Sequence, residues 1–497
     1  MALTGLAAAA RVLRRSSWSR HARARFALPP GVVLPRSKGP PAATRCEGAE
    51  SCAQTDGSVA SPLLLRALHS LVESTQPSAP HPSGSAPRVS RSFSPIVPSQ
   101  LAAELCTSAA SSVPLPVQHG ASTMRAAVMR EVGAPLRVEL LRIPRPQAGE
   151  VLIKTRACGV CHTDLHVMRG HVAFPAPCVL GHEVSGEVVD HGAGTDADTI
   201  ARVPVGSRVV AAFIMPCGSC FFCTHGQEDI CSTFFAFNRL HGTLYDGHTR
   251  LFSADPSAAP LAMYSMGGLA DYCVAPATAV APLPPALPLP EAAVMGCALF
   301  TAFGALRHAG DVRAGETVAV VGAGGVGGSC VQVARAMGAA SIVAVDVGED
   351  KLQRCRALGA THTVNAAKED VVDAIRAITG GRGVDVAVEA LGRAETFGQT
   401  VHAVRDGGRA VMVGIAAAGT TAAVDITRLV RRNIKIIGSY GAKARSDLPA
   451  VVALAAAGRV DVVSSVTERY RLEDADSAYC KLEKGNVLGR AIVDMTL

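Results

Sequence analysis

Val318-Ala-Val-Val-Gly-Ala-Gly-Gly-Val-Gly-Gly runs from four apolar residues into a turn of glycines. Gly322, Gly324 and Gly327 have G-x-G-x-x-G spacing, with Gly325 and Val326 between the last two, and residues 329–337 beyond them read as a helix. Glycine here allows a tight turn, lets backbone approach a pyrophosphate and lets helix pack on strand, while the helix N-terminus offers free N–H donors and a positive dipole end. Nineteen residues after Gly327, the next apolar run ends in Asp346. A carboxylate at that point accepts the ribose hydroxyls of NAD and repels a 2′-phosphate. Lys351 is either a further ribose contact or a surface lysine at a helix start.

Outward from this stretch, apolar runs at 318–321, 343–345, 384–388 and 410–413 alternate with helix-length segments. That rhythm implies βαβ units on a parallel sheet, so the fold class is α/β with a Rossmann doubly wound cofactor domain. Residues 124–281 differ: short alternating runs such as Glu150-Val-Leu-Ile-Lys-Thr stand between Gly and Pro, the pattern of a β-rich, barrel-like domain. The tail mixes a helix at 448–457 with short strands that can rejoin this β-rich part. The expected division is 1–123 presequence, 124–298 catalytic domain, 299–436 NAD-binding domain and 437–497 return to the catalytic domain.

At 497 residues the chain has room for about three domains of roughly 150 residues. Hydrophobic residues make up 48% and charged residues 18%, which excludes a disordered or fibrous protein. The formal charge of +7 is uneven: residues 1–123 hold twelve Lys and Arg against five acids, and residues 124–497 hold 36 of each sign. The body therefore has no overall basic field for nucleic acid or anionic lipid. Its longest uncharged stretches are too short or too interrupted by Gly, Gln and Thr to read as membrane spans. Residues 1–45 hold nine basic residues and no acid, with Leu6, Ala9, Ala10 and Leu13 at helical spacing. This is transit-peptide composition, mitochondrial first and plastid second, whereas a chain starting at Met124 would be cytosolic. Residues 46–123, rich in Ser, Pro and Ala, read as mostly disordered.

Six of the fifteen cysteines stand at metal-ligand spacings, which suits a reducing compartment. Cys217, Cys220, Cys223 and Cys231 supply four thiolates within fifteen residues, the donor set of a closed structural zinc site. A second set is dispersed over Gly159-Val-Cys161-His162-Thr163-Asp164-Leu165-His166, Gly181-His182-Glu183 and Gly296-Cys297. By spacing alone His182 reads first as a core or surface histidine and Cys297 as a small buried apolar residue. Spacing does not join the three segments.

Residues 124–497 resemble the zinc-dependent medium-chain alcohol dehydrogenases, most of all plant-type alcohol dehydrogenase-like proteins with an organelle presequence. The resemblance rests on GVCHTDLH (159–166), GHE (181–183), the four-cysteine lobe, GTLYDGHTRL (242–251), GCALFTAFGAL (296–306) and GAGGVG (322–327). It implies a GroES-like catalytic domain, a homodimer, NAD, two zinc ions per subunit and a small primary or allylic alcohol, or its aldehyde, as substrate. By the same resemblance Cys161, His182 and Cys297 bind the catalytic zinc, with Glu183 an exchange ligand and Asp164 accepting the other imidazole N–H of His182. Thr163 then receives the alcohol proton and passes it through the nicotinamide ribose to His166, and His162 meets the pyrophosphate. Two readings compete. Dehydrogenation of S-(hydroxymethyl)glutathione-type adducts needs basic residues at the pocket mouth that the sequence does not place. The other is a non-catalytic NADH-binding or redox-sensing zinc protein. A zinc-free quinone or enoyl reductase would lack the three ligands. Residues 254–266 match nothing in the family, which leaves the substrate loop unassigned. Trp18 is the single tryptophan, so pocket aromatics must be Phe or Tyr.

Overall fold

The structure, a computed structural model, describes residues 122–497; the expected leader and nearly all of the Ser, Pro and Ala-rich stretch lie outside the described residues. In the cofactor domain six parallel strands lie in the order His362–Asn365, Ser341–Asp346, Thr317–Val321, Val384–Glu389, Val404–Met412 and Lys435–Gly438. The order reverses between Thr317–Val321 and Val384–Glu389, so a crevice opens beyond the carboxyl ends of these two strands. Side chains alternate across the sheet. Val318 and Val320 share a core with Leu352 and Cys355 of the helix Glu349–Leu358, while Ala319 and Val321 share another with Ile375 and Val401. Burial on both faces is why these strands read as unbroken apolar runs. The sheet ends at Gly438, so the expected boundary at 436 falls inside its last strand. The helix after the glycines is Gly325–Ala336, four residues earlier than expected.

The strand Glu150–Val160 organises the other domain. It pairs antiparallel with Val184–His191, Tyr272–Pro276 and Arg490–Asp494. Arg490–Asp494 belongs to the tail, so the chain leaves for the cofactor domain and comes back. Register shifts in Glu150–Val160 at Leu152/Ile153 and Thr155/Ala157 mark bulges that bend and twist this sheet. A smaller sheet joins Arg137–Arg142, Thr123–Met129, Cys178–Val179 and Ala262–Met263.

The two domains are joined through Glu291–Ala309, a helical stretch long and apolar enough to cross a bilayer but mostly buried inside the protein. Its tightest contact is at Gly304, where a Cβ would stand 1.9 Å from the Gly441 carbonyl oxygen. The segment 242–251 beyond the cysteine-rich loop is tied to the sheet by a buried fork: Arg250 Nη2 and Nε donate to Glu150 at 2.7 and 3.0 Å.

Candidate active site

Three segments deliver the inner side chains. Cys161 caps the helix His162–Met168 directly after Glu150–Val160 ends. His182 and Glu183 lead into Val184–His191. Before them Gly181 has φ +95°, and a Cβ there would strike the Leu269 amide at 2.6 Å and the Cys158 sulfur at 2.7 Å, so only glycine fits the turn. Cys297 stands at the break between the 3-10 helix Glu291–Gly296 and the helix Ala298–Gly304. One ligand atom from each of Cys161, His182, Glu183 and Cys297 lies within 4.8 Å of the others, and all four residues are buried.

Two polar atoms of this set, His182 Nε2 and Glu183 Oε2, are buried without a hydrogen-bond partner. Leaving such atoms unmet costs about 1–3 kcal/mol each, and a cation held between them would satisfy both. His182 Nδ1 donates to Asp164 Oδ1 at 2.9 Å, and that carboxylate also accepts from the Gly181 amide at 3.1 Å and the Tyr479 hydroxyl at 3.0 Å. The Asp164 bond fixes the tautomer that leaves the Nε2 lone pair free. A hydrogen bond between the two thiols holds Cys161 well below the ordinary thiol range and Cys297 well above it. Burial disfavours charge on His182, yet the Asp164 carboxylate and Cys161 outweigh it and raise the imidazole well above its usual value. Burial lifts Glu183 to about 7 against the pull of Arg490, whose guanidinium hydrogen-bonds it. Two sulfurs and one imidazole nitrogen in a pocket that draws positive charge fit zinc, with bonds of about 2.3 Å to sulfur and about 2.0 Å to nitrogen.

Cys161 and Cys297 open on a cleft of about 420 Å³ that also touches Thr163, His166, Gly324 and Lys351. His162, Gly325, Val326 and Asp346 line it as well. Gly322 and Gly327 lie behind: Gly322 turns at φ +100°, and a Cβ on Gly327 would stand 1.7 Å from the Gly322 oxygen. The helix N-terminus has no side-chain cap, and nothing lies within 4 Å of a Cβ built on Gly324. Free amides facing open space make a cradle for a pyrophosphate. Asp346 accepts from the Ala323 amide at 2.8 Å and the Gly348 amide at 2.9 Å, which aims it at the rim of the cradle. A larger hollow of about 1290 Å³ beside Arg142 and Arg250 contains none of these residues.

Thr163 Oγ1 lies 3.6 Å from Cys161 Sγ. His166 Nδ1 faces His171 Nδ1 at 3.3 Å, and burial followed by the His171 charge lowers its pKa. Burial also lowers that of His162. Asp164 and Glu183 are both fully buried and absent from the cleft lining. Sequence reasoning missed Tyr479, Arg490 and His171. The first two lie in the tail, whose contact with the metal set depends on a strand pairing across more than three hundred residues; Arg490 reaches the glycine loop, where a Cβ on Gly325 would meet its Cδ at 2.4 Å. Residues 254–266, unassigned from sequence, contribute Tyr264, whose ring centroid is 6.0 Å from that of His182; Phe213 stands 5.9 Å from it on another side.

Cys217, Cys220, Cys223 and Cys231 form the second cluster, their sulfurs also within 4.8 Å of one another. Cys231 Sγ accepts from the amides of Cys217 and Phe234 at 3.4 Å each, and Cys217 Sγ from the Cys220 amide at 3.3 Å. Against burial, hydrogen bonds from the Cys223 amide and from Ser232 bring Cys220 down to about 5. Amides aimed at sulfur stabilise thiolate, so this donor set also fits zinc. All twelve cysteines among the described residues are free.

The alcohol dehydrogenase GroES-like domain family matches residues 147–285, and the zinc-binding dehydrogenase family matches residues 325–457. An alcohol dehydrogenase of Geobacillus stearothermophilus is 34% identical over 375 residues, 75% of this chain and 99% of that protein. An S-(hydroxymethyl)glutathione dehydrogenase of Saccharomyces cerevisiae is 32% identical, over 73% of this chain and 94% of its own. Benzyl alcohol dehydrogenase from Acinetobacter calcoaceticus superposes with a TM-score of 0.69 at 31% identity, covering 75% of this chain and 99% of that one.

Proposed function

The chain belongs to the zinc-dependent medium-chain alcohol dehydrogenase family, and from that premise we propose that it transfers hydride reversibly between a primary alcohol and NAD. One observation carries the reading: two sulfurs and an orphaned imidazole nitrogen share a buried pocket that opens on the cleft beside the uncapped glycine turn. When bound, zinc supplies a Lewis acid that acidifies the alcohol, and nicotinamide accepts the hydride.

The protein's own groups do the rest. Asp164, held by Tyr479 and the Gly181 amide, keeps the proton on His182 Nδ1 and so keeps Nε2 a lone-pair donor. Thr163 Oγ would accept the alcohol proton while giving up its own, and His166, whose pKa burial lowers, would carry a proton on towards solvent. Phe213, which lines the cleft, helps exclude water from the reacting carbon. Gly324 and Gly325 present amides to the pyrophosphate, Arg490 supplies countercharge at the same turn, and Asp346 accepts the ribose hydroxyls, selecting NAD over NADP.

On the same footing, each subunit holds two zinc ions and pairs in a homodimer, and the acid-free leader directs the chain to the mitochondrion, with a plastid second. The test combines metal analysis with NADH absorbance on purified 122–497 across alcohols and aldehydes. Two metals per subunit with NAD-specific turnover support the proposal; a chain that binds NADH and turns over no alcohol is a binding protein.

A further inference from the structure

The helix that begins after Cys161 ends in a way that lays a second imidazole on His166. Arg169 is its C-cap, and Gly170 follows in the left-handed region at φ +72°, where glycine is at ease. Two amides then turn back: His171 donates to the His166 carbonyl at 2.8 Å and Gly170 to the Val167 carbonyl at 3.0 Å. This paired closure folds the residue two beyond the cap over the third-last residue of the helix, and the two side chains so joined are usually apolar. Here both are histidines. Their Nδ1 atoms stand 3.3 Å apart, with ring centroids at 5.5 Å and planes tilted by 50°. The helix end is pinned from the tail, since Arg169 Nε and Nη2 donate to Glu483 of the helix Ala475–Glu483 at 2.7 and 2.6 Å.

The two rings differ in where they stand. His166 is half-buried and lines the cleft with Thr163, whereas His171 is exposed and absent from that lining. The pair therefore runs from the cleft to the surface. Neutral imidazoles joined through Nδ1 cannot both donate, so one carries the shared proton and the other accepts it. With that proton on His166, its Nε2 is left a lone pair. Cys161 and His162 are the charged or titratable neighbours of His166, and Glu483, with Arg169 and Lys484 acting on it, faces His171. Two imidazolium charges this close repel, so a proton arriving on one ring favours departure of a proton from the other.

We propose that His171 is the station from which the alcohol's proton leaves the protein. This rests on the dehydrogenase reading above and extends it one residue past His166. A proton reaching His166 Nε2 forms an N–H bond there, the His166 Nδ1–H bond breaks as its proton passes to His171 Nδ1, and His171 releases its Nε2 proton to water or buffer. One proton leaves for each alcohol oxidised, and tautomer exchange with water resets the pair. Aldehyde reduction draws a proton in by the same route.

The test follows the NADH burst with NAD and 1-butanol on zinc-loaded wild type, H171Q, H171L, H166A and H166A/H171Q. H171Q keeps a hydrogen-bonding side chain that cannot titrate. Measurements span about pH 6 to 9 in dilute buffer, with and without free imidazole. The burst should be about tenfold slower in H171Q and H171L, free imidazole should restore most of it, and H166A/H171Q should be no slower than H166A. Burial and then the His171 charge lower the His166 pKa, so in H171Q the acid limb of the burst rate should move to higher pH. NMR titration of the imidazoles without substrate should show the same rise. An unmoved His166 titration overturns the proposal, as does a loss that imidazole leaves in place and that adds to H166A. H171Q equal to wild type in rate, pH profile and imidazole response overturns the relay alone; wild type that oxidises no alcohol overturns the dehydrogenase reading, and the relay with it.

Discussion

The two cysteine clusters are built in opposite ways. The lobe draws Cys217, Cys220, Cys223 and Cys231 from fifteen consecutive residues and holds their sulfurs with amides of the same loop. The inner set draws Cys161, His182 and Cys297 from three segments that only the completed sheet and the connecting helix bring together. The lobe has little apolar core of its own, so a metal held there would do structural work. The inner set is embedded in a core that stands without it. Loss of metal should therefore unfold one region and silence the other.

Cys161→Ala should break the contrast most sharply. Alcohol-dependent NADH formation should fall at least a thousandfold, and one metal should be lost with the melting temperature nearly unchanged; steady-state kinetics, metal analysis and a thermal scan read all three. Turnover at wild-type level would remove Cys161 from the metal. Cys220→Ser should do the reverse, costing about 2–4 kcal/mol of stability while folded molecules keep much of their activity. Denaturant unfolding with activity per folded molecule measures this, and a variant with full zinc content and wild-type melting would deny the lobe its structural role. Graded chelation at neutral pH sharpens the same point: activity should disappear with the first metal released and the fold with the second.

Asp346→Gly is expected to shift the NAD to NADP ratio of kcat/KM about tenfold towards NADP; an unchanged ratio would take Asp346 off the ribose. Tyr479→Phe should have the smallest effect. It deletes one of three hydrogen bonds to Asp164, so kcat should drop only a few-fold, for a loss of about 1 kcal/mol. No change at all would show that the Gly181 amide suffices.

The same contrast explains what the sequence could and could not reveal. Local signals were readable: strand, glycine turn, helix and Asp346 follow one another within thirty residues, and the lobe's cysteines are neighbours. The edge strands His362–Asn365 and Lys435–Gly438 escaped because they are short and partly exposed, without the apolar run that marks the sheet's centre. The inner metal set was reached by family resemblance and not by spacing, since no local pattern links Cys161 to Cys297. Tyr479 and Arg490 gave no signal, because each acquires its meaning from partners set by tertiary packing.

The most direct measurement is an anomalous difference map at the zinc edge from crystals of the cofactor-bound protein. The account predicts two peaks per subunit. One should lie about 2.3 Å from Cys161 Sγ and Cys297 Sγ and about 2.0 Å from His182 Nε2, and the other among the four lobe sulfurs. A single peak in the lobe, with Cys161, His182 and Cys297 apart around ordinary solvent, would contradict it.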